Sequence, residues 1–129
     1  MNRKILLIED NAENRYLATF LLERCGWQVT PAFEGRSALE LAGEIQPALI
    51  LLDIQLPGMD GYAVAQALRK DPRLDRVPIV AVTSYAMPGD RERCMEAGCD
   101  GYLEKPIDPD NFVPDVEAFA RAGRDGAAP

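Results

Sequence analysis

Four clusters of polar side chains stand at the ends of short apolar runs: the acidic pair Glu9-Asp10, Asp53, the hydroxyl pair Thr83-Ser84, and Lys105 ahead of Pro106. The chain has no histidine, which removes the side chain most used for proton transfer near neutral pH. Its chemistry must therefore run on carboxylates, lysine, hydroxyls or a metal. Three carboxylates brought together repel one another, and a hard cation with oxygen ligands relieves that repulsion. Each cluster also has a simpler reading: Asp53 as a turn cap, Glu9-Asp10 as acids at a helix start, Lys105 as a solvated side chain, and Thr83 as a strand-end hydroxyl.

These residues need a scaffold to meet on, and 129 residues is enough for one domain with its own core. The formal net charge of -7 argues against nucleic acid or an anionic membrane as a direct partner. Three cysteines, Cys25, Cys94 and Cys99, cannot all pair, and no histidine completes a zinc set. They read as reduced thiols, mostly buried. The first apolar run, Ile5 to Ile8, is too short for a signal-peptide core or a membrane span, so a cytoplasmic location is expected.

Along the chain, Lys4 to Ile8 reads as a buried strand and Asn11 as the N-cap of a helix that runs to about Cys25 and stops at Gly26. At helical spacing Leu17, Ala18, Leu21, Leu22 and Cys25 share the face toward the sheet. Tyr16 and Phe20 fall off that face, one turn apart, and either pack on a neighbouring helix or loop or form a docking patch for a partner helix. Trp27 to Thr30 is the second strand, and Gly35 to Ile45 a helix with Ala38, Leu41, Ala42 and Ile45 inward. The third strand follows Pro47 and ends on Asp53. Asp60 caps a helix from Gly61 to Lys70, with Val64, Ala65 and Leu68 inward, broken by Asp71-Pro72. Val77 to Val82 is the fourth strand, a helix from about Met87 or Pro88 stops at Gly98, and Gly101 to Glu104 is the fifth strand. Asp108 caps a last helix from about Pro109 to Arg121, which Pro114 should kink or delay. One domain thus covers 1–121, and 122–129 reads as a disordered tail. Strands alternating with helices through short connectors call for an α/β fold, a parallel sheet with helices on both faces. Strand C-termini then share one edge, and Glu9, Asp10, Asp53, Thr83 and Lys105 converge there.

With that set in place the sequence closely resembles the receiver domain of two-component response regulators. The matching residues are Glu9-Asp10, Asp53 within LLDIQLPGMDG, Thr83 within VAVTSYA, and Lys105-Pro106 within AGCDGYLEKP, over about Lys4 to Phe119. The resemblance implies a flavodoxin-like, doubly wound five-stranded sheet in the order 2-1-3-4-5 with five helices. It implies that Asp53 is the phosphoacceptor, and that Glu9, Asp10, Asp53 and the backbone carbonyl of Gln55 hold one Mg²⁺. Lys105 and Thr83 would bind phosphoryl oxygens, and Tyr102 would change rotamer with the switch. Gln55 and Tyr85 would border the path of attacking water; both are large, so a fairly long-lived phosphoaspartate is expected. A cis Lys105-Pro106 peptide is also implied.

The resemblance further implies that the phosphoryl group comes from a histidine kinase or a histidine phosphotransfer protein, with a downstream protein target reached through the fourth helix, fifth strand and fifth helix. The chain would be a phosphoacceptor that assists its own phosphorylation and hydrolysis, not an enzyme acting on a separate substrate, and a monomer or weak dimer. Two departures are Glu9, where many members carry Asp, and Pro109 with Pro114, which count against dimerisation through the last helix. The first helix and the segment after Asp53 look more like DivK-type cell-cycle regulators and hybrid-kinase receivers than chemotaxis regulators. A stand-alone receiver and a module of a larger hybrid kinase or effector both fit. A haloacid-dehalogenase-type phosphatase also uses a strand-end Asp, but it needs a second Asp where this chain has Gln55. A flavodoxin needs a phosphate loop after the first strand, which is missing.

Overall fold

The computed structural model describes residues 2–56, 60–84 and 88–127. In chain order these form β1 (Lys4–Ile8), α1 (Ala12–Arg24), β2 (Gln28–Ala32), α2 (Gly35–Ile45), β3 (Leu49–Asp53), α3 (Gly61–Arg69), a 3-10 turn (Pro72–Leu74), β4 (Ile79–Thr83), α4 (Asp90–Glu96), β5 (Gly101–Glu104) and α5 (Phe112–Ala127). The strands pair in parallel in the order β2-β1-β3-β4-β5, as the resemblance implied.

The apolar runs form central strands because both faces of the sheet are covered. All five residues of β3 are buried, and its side chains alternate between two cores. Ile50 and Leu52 join Leu6, Ile8, Ile79 and Ala81 against α2, α3 and α4. Leu49 and Leu51 join Ile5, Leu7, Val80 and Val82 against α1 and α5. Each fully buried leucine or isoleucine contributes about 1.5–3 kcal/mol, so these central strands form the rigid part of the molecule. Pro31 falls in β2 at the sheet edge, where a missing N–H leaves no ladder bond unmade.

Asn11 caps α1 by accepting from the Asn14 amide at 2.9 Å, and Asp60 caps α3 by accepting from the Tyr62 amide at 2.9 Å. Between Asp53 and α3 the chain turns so tightly that the Gly61 amide donates to the Ile54 carbonyl at 3.2 Å. A Cβ at Gly61 would run into the Ile54 backbone.

Several expectations need correction. Ala18 and Leu22 are the buried residues of α1, and Cys25 is exposed beyond its end. The helix stops one residue too early to carry Cys25 inward, because Gly26 takes a φ of +91° and turns the chain toward Trp27. β2 is shifted to Gln28–Ala32, and Trp27 packs instead into the α1/α5 core. Of the two effects expected of Pro114, a delay occurs and a kink does not: α5 begins at Phe112 instead of about Pro109, so the proline lies in the first turn, where an amide has no helical partner anyway. The break in α5 falls at Gly123, with φ of 59°. Arg124 there donates to Asp100 Oδ1 at 3.0 Å and to the Asp75 carbonyl at 2.9 Å.

Candidate functional site

The parallel register brings the strand ends to one edge. The Glu9 amide donates to the Ala32 carbonyl (3.0 Å), Ile54 N–H to the Val82 carbonyl (3.1 Å) and Lys105 N–H to the Thr83 carbonyl (2.7 Å), so the ladder continues past the last strand residues. Asp53 pairs with Val82 and Thr83 with Glu104. Four of the expected residues thus sit side by side because their strands do.

Lys105 ties them together. Its Nζ lies 2.7 Å from Glu9 Oε1 and 3.3 Å from Asp53 Oδ2, with all three side chains at most 8% exposed. Asp53 Oδ1 accepts from the Gln55 amide at 2.9 Å, which aims the carboxylate along the edge, and Glu9 Oε2 accepts from the Asn11 amide at 3.3 Å. Asp10 is exposed, yet one oxygen each of Glu9, Asp10 and Asp53 lies within 4.8 Å of the others. Burial pushes the Glu9 carboxyl up to about 7; the hydrogen bond and the charge of Asp53 push it the same way, and Lys105 pulls it down. One lysine therefore only partly compensates two buried carboxylates, and the third acid stands at the mouth. Such a hard, oxygen-only donor set, short of positive charge, fits a small divalent cation.

Thr83 is 4% exposed and shares the parity of Ile79 and Ala81, on the α4 side of the sheet. Tyr102 packs half-buried on that same side, and burial, with Asp90 and Glu104 nearby, holds its hydroxyl above the usual range. The two expected switch residues therefore face α4 together. The Lys105-Pro106 peptide is cis. Tyr85 lies outside the described residues. Tyr16 and Phe20 are 72% and 47% exposed on α1, their rings stacked at 6.2 Å, with the Arg24 guanidinium 5.5 Å from the Phe20 ring.

A family model, the response regulator receiver domain, matches residues 5–117. The chain belongs to that family. Among the relatives of this receiver, the polar-differentiation response regulator DivK of Brucella ovis is 39% identical over 92% of this chain and 97% of its own. The receiver domain of a sensor histidine kinase from Pseudomonas aeruginosa PAO1, solved with a magnesium ion in its active-site cleft, superposes with a TM-score of 0.85 at 34% identity, covering 94% and 99% of the two chains. Vibrio cholerae chemotaxis protein CheY4 gives a TM-score of 0.86 at 25% identity, covering 92% and 98%. The receiver is thus a phosphoacceptor module of two-component signalling. Among its described residues no helix is long and apolar enough to cross a membrane.

Sequence reasoning passed over the residues that hold this edge from behind. Arg15 Nη1 donates to the carbonyls of both Glu9 and Asp10 at 3.2 Å, and its guanidinium lies 4.3 Å from the Phe33 ring. Nothing periodic marks such a contact, since it reaches back across the helix cap.

Proposed function

We propose that Asp53 is the phosphoacceptor of this receiver, taking a phosphoryl group from a histidine of a kinase or a histidine phosphotransfer protein. The observation that carries this reading is Lys105 Nζ set between Glu9 Oε1 and Asp53 Oδ2 in a buried acidic edge. An Asp53 oxygen forms the new P–O bond as the P–N bond of the donor breaks, and the proton needed by the leaving imidazole comes from the donor side. Lys105 is released from Asp53 as that oxygen is consumed, and its ammonium then pairs with a phosphoryl oxygen. Thr83 hydrogen-bonds another. Glu9, Asp10, Asp53 and the Gln55 carbonyl would hold one Mg²⁺, which when bound neutralises charge on the transferring group.

Charge-assisted bonds of about 1.5–3 kcal/mol each from Lys105 and Thr83 approach the roughly 5.5 kcal/mol that turns a 1:99 mixture of states into 99:1. The readout is the α4-β5-α5 face, which Thr83 and Tyr102 address from beneath, and the partner reading it is a protein. Tyr16 and Phe20 supply an aromatic patch for the donor's helices. The receiver turns over no separate substrate and works in the cytoplasm as a monomer or weak dimer. The match to the receiver domain of a sensor histidine kinase supports a second reading, a module of a longer kinase, which the length of the parent gene decides.

Incubation with acetyl phosphate and Mg²⁺, followed by intact-mass measurement, tests the central claim. One added phosphoryl group is expected, and none in Asp53→Asn. No gain in the parent chain, or an equal gain in the variant, overturns it.

A further inference from the structure

Glu9 and Asp10 lie between the end of β1 and the start of α1, where one last ladder bond reaches past the strand and the helix has not yet begun. The Glu9 amide is held by the Ala32 carbonyl, which leaves the carbonyls of Glu9 and Asp10 to be tied. One group ties both. Arg15 Nη1 spans the two carbonyl oxygens, donating to each at 3.2 Å. Its own position is set twice over: the Arg15 amide donates to the Asn11 carbonyl at 2.9 Å within the first turn of α1, and the guanidinium lies 4.3 Å from the centre of the Phe33 ring. That ring belongs to the β2–α2 connection, so the contact joins two strand ends on this edge.

From this geometry we infer that Arg15, seated on Phe33, is a positioning residue for the metal-binding acids. It acts through their backbone, without touching metal or phosphoryl group itself. This rests on the reading of the acidic edge as a Mg²⁺ site. Charge and geometry make opposite predictions here. A cation beside the site opposes Mg²⁺ by repulsion, so if charge were its whole influence, neutralising Arg15 would tighten binding. If it orients Glu9 and Asp10, the same change weakens binding. One terminal nitrogen meets both carbonyls while the body of the guanidinium sits 4.3 Å from the Phe33 ring centre; a compact ammonium could reach the carbonyls but not rest a planar group on the ring at the same time, so lysine should not replace it.

The experiment titrates Mg²⁺ alone into the parent chain, Arg15→Gln, Arg15→Lys and Phe33→Ala, and follows amide exchange at Asn11, whose N–H donates to Glu9 Oε2. Arg15→Gln and Arg15→Lys should both raise the Mg²⁺ Kd about tenfold, as loss of an outer support to metal ligands commonly does, and should speed Asn11 exchange without metal. Phe33→Ala keeps every charge and removes a ring that is 54% exposed, and should shift both readouts the same way by a smaller factor. Tighter or unchanged Mg²⁺ binding in Arg15→Gln, full retention in Arg15→Lys, or no change in Phe33→Ala overturns the inference. A parent chain that binds Mg²⁺ yet gains no phosphoryl group on Asp53 defeats the proposed function alone. A parent that binds no Mg²⁺ defeats the metal reading, and unchanged Asn11 exchange in the variants then counts separately against Arg15.

Discussion

Glu9 is the residue whose chemistry depends most on its surroundings. Its carboxyl sits near 7 in the fold against 4.5 as a free side chain, burial being the largest cause. A raised folded value means the folded chain holds the proton that the unfolded chain has lost. The stability this contributes is complete below about 4.5 and is lost as pH rises through about 7. Without Mg²⁺, the parent should therefore lose stability relative to Glu9→Gln between about pH 5 and about pH 8, by an amount on the order of 2–3 kcal/mol. Denaturant midpoints of both chains at the two pH values check this, and parallel curves would sink it. Mg²⁺ competes with the same proton, so its affinity should climb over the same interval. At Gln55, a bulky side chain two residues beyond Asp53 should slow the approach of water. Phosphorylated chain should persist well beyond seconds when acetyl phosphate is removed, and Gln55→Gly should shorten its life, both read by intact mass over time.

At the scale of elements, the turn from β3 to α3 sets where Asp53 points. Gly61 packs there on the backbone of Ile54, one residue past Asp53. Gly61→Ala should cost about 1–3 kcal/mol through that overlap, and should weaken Mg²⁺ binding as well, since Ile54 must move and takes Asp53 with it. A control is Asp60→Ala, which removes the cap on α3 at a cost of about 1 kcal/mol and leaves the Ile54 contact alone. Calorimetric titration should then show Mg²⁺ binding changed in the first variant and preserved in the second. α4 carries a related device at its C-terminus. Gly98, with φ of +109°, closes the helix, Cys99 N–H donates to the Cys94 carbonyl at 3.0 Å, and the two thiols meet in the core beneath. Burial lifts the Cys99 thiol to about 12, which keeps it an inert packing group.

Across the whole molecule, the two edges of the sheet do different work. The C-terminal edge gathers acids short of positive charge, while the opposite edge is clamped. Asp100 takes Arg69 at 2.6 Å, Arg124 at 3.0 Å and the Ile79 amide at 3.0 Å, so α3, β4, β5 and the end of α5 share one carboxylate. Arg69 also donates to the carbonyls of Leu74, Val77 and Gly98. Removing the acid leaves a mostly buried guanidinium without its counterion, so Asp100→Ala should cost about 3–5 kcal/mol. Because the clamp lies at the far edge, the Mg²⁺ Kd of the surviving folded chain should stay within about twofold of the parent. A chemical-denaturation curve with a Mg²⁺ titration on the same variant reads both numbers. A switch that must tip on a few kcal/mol needs this division, with one edge stiff and the other balanced.

The order of strands and helices, the caps Asn11 and Asp60, and the acids, hydroxyl and lysine at four strand ends were legible because each is encoded locally. Apolar runs of strand length, turn residues and a polar side chain just after the run all lie within a few positions of one another. The family resemblance turned those positions into roles. What lay beyond reach was every feature made by residues distant in the chain or by a single backbone angle. Gly26 decided that Cys25 faces out, and Arg15 on Phe33 and Asp100 between two arginines exist only once strands are laid side by side. Burial of Glu9 belongs here too. The sequence by itself determined which groups stand at the ends of the strands; only the tertiary structure decided their distances, their desolvation and their partners, because those depend on the packing of segments that sequence spacing does not relate.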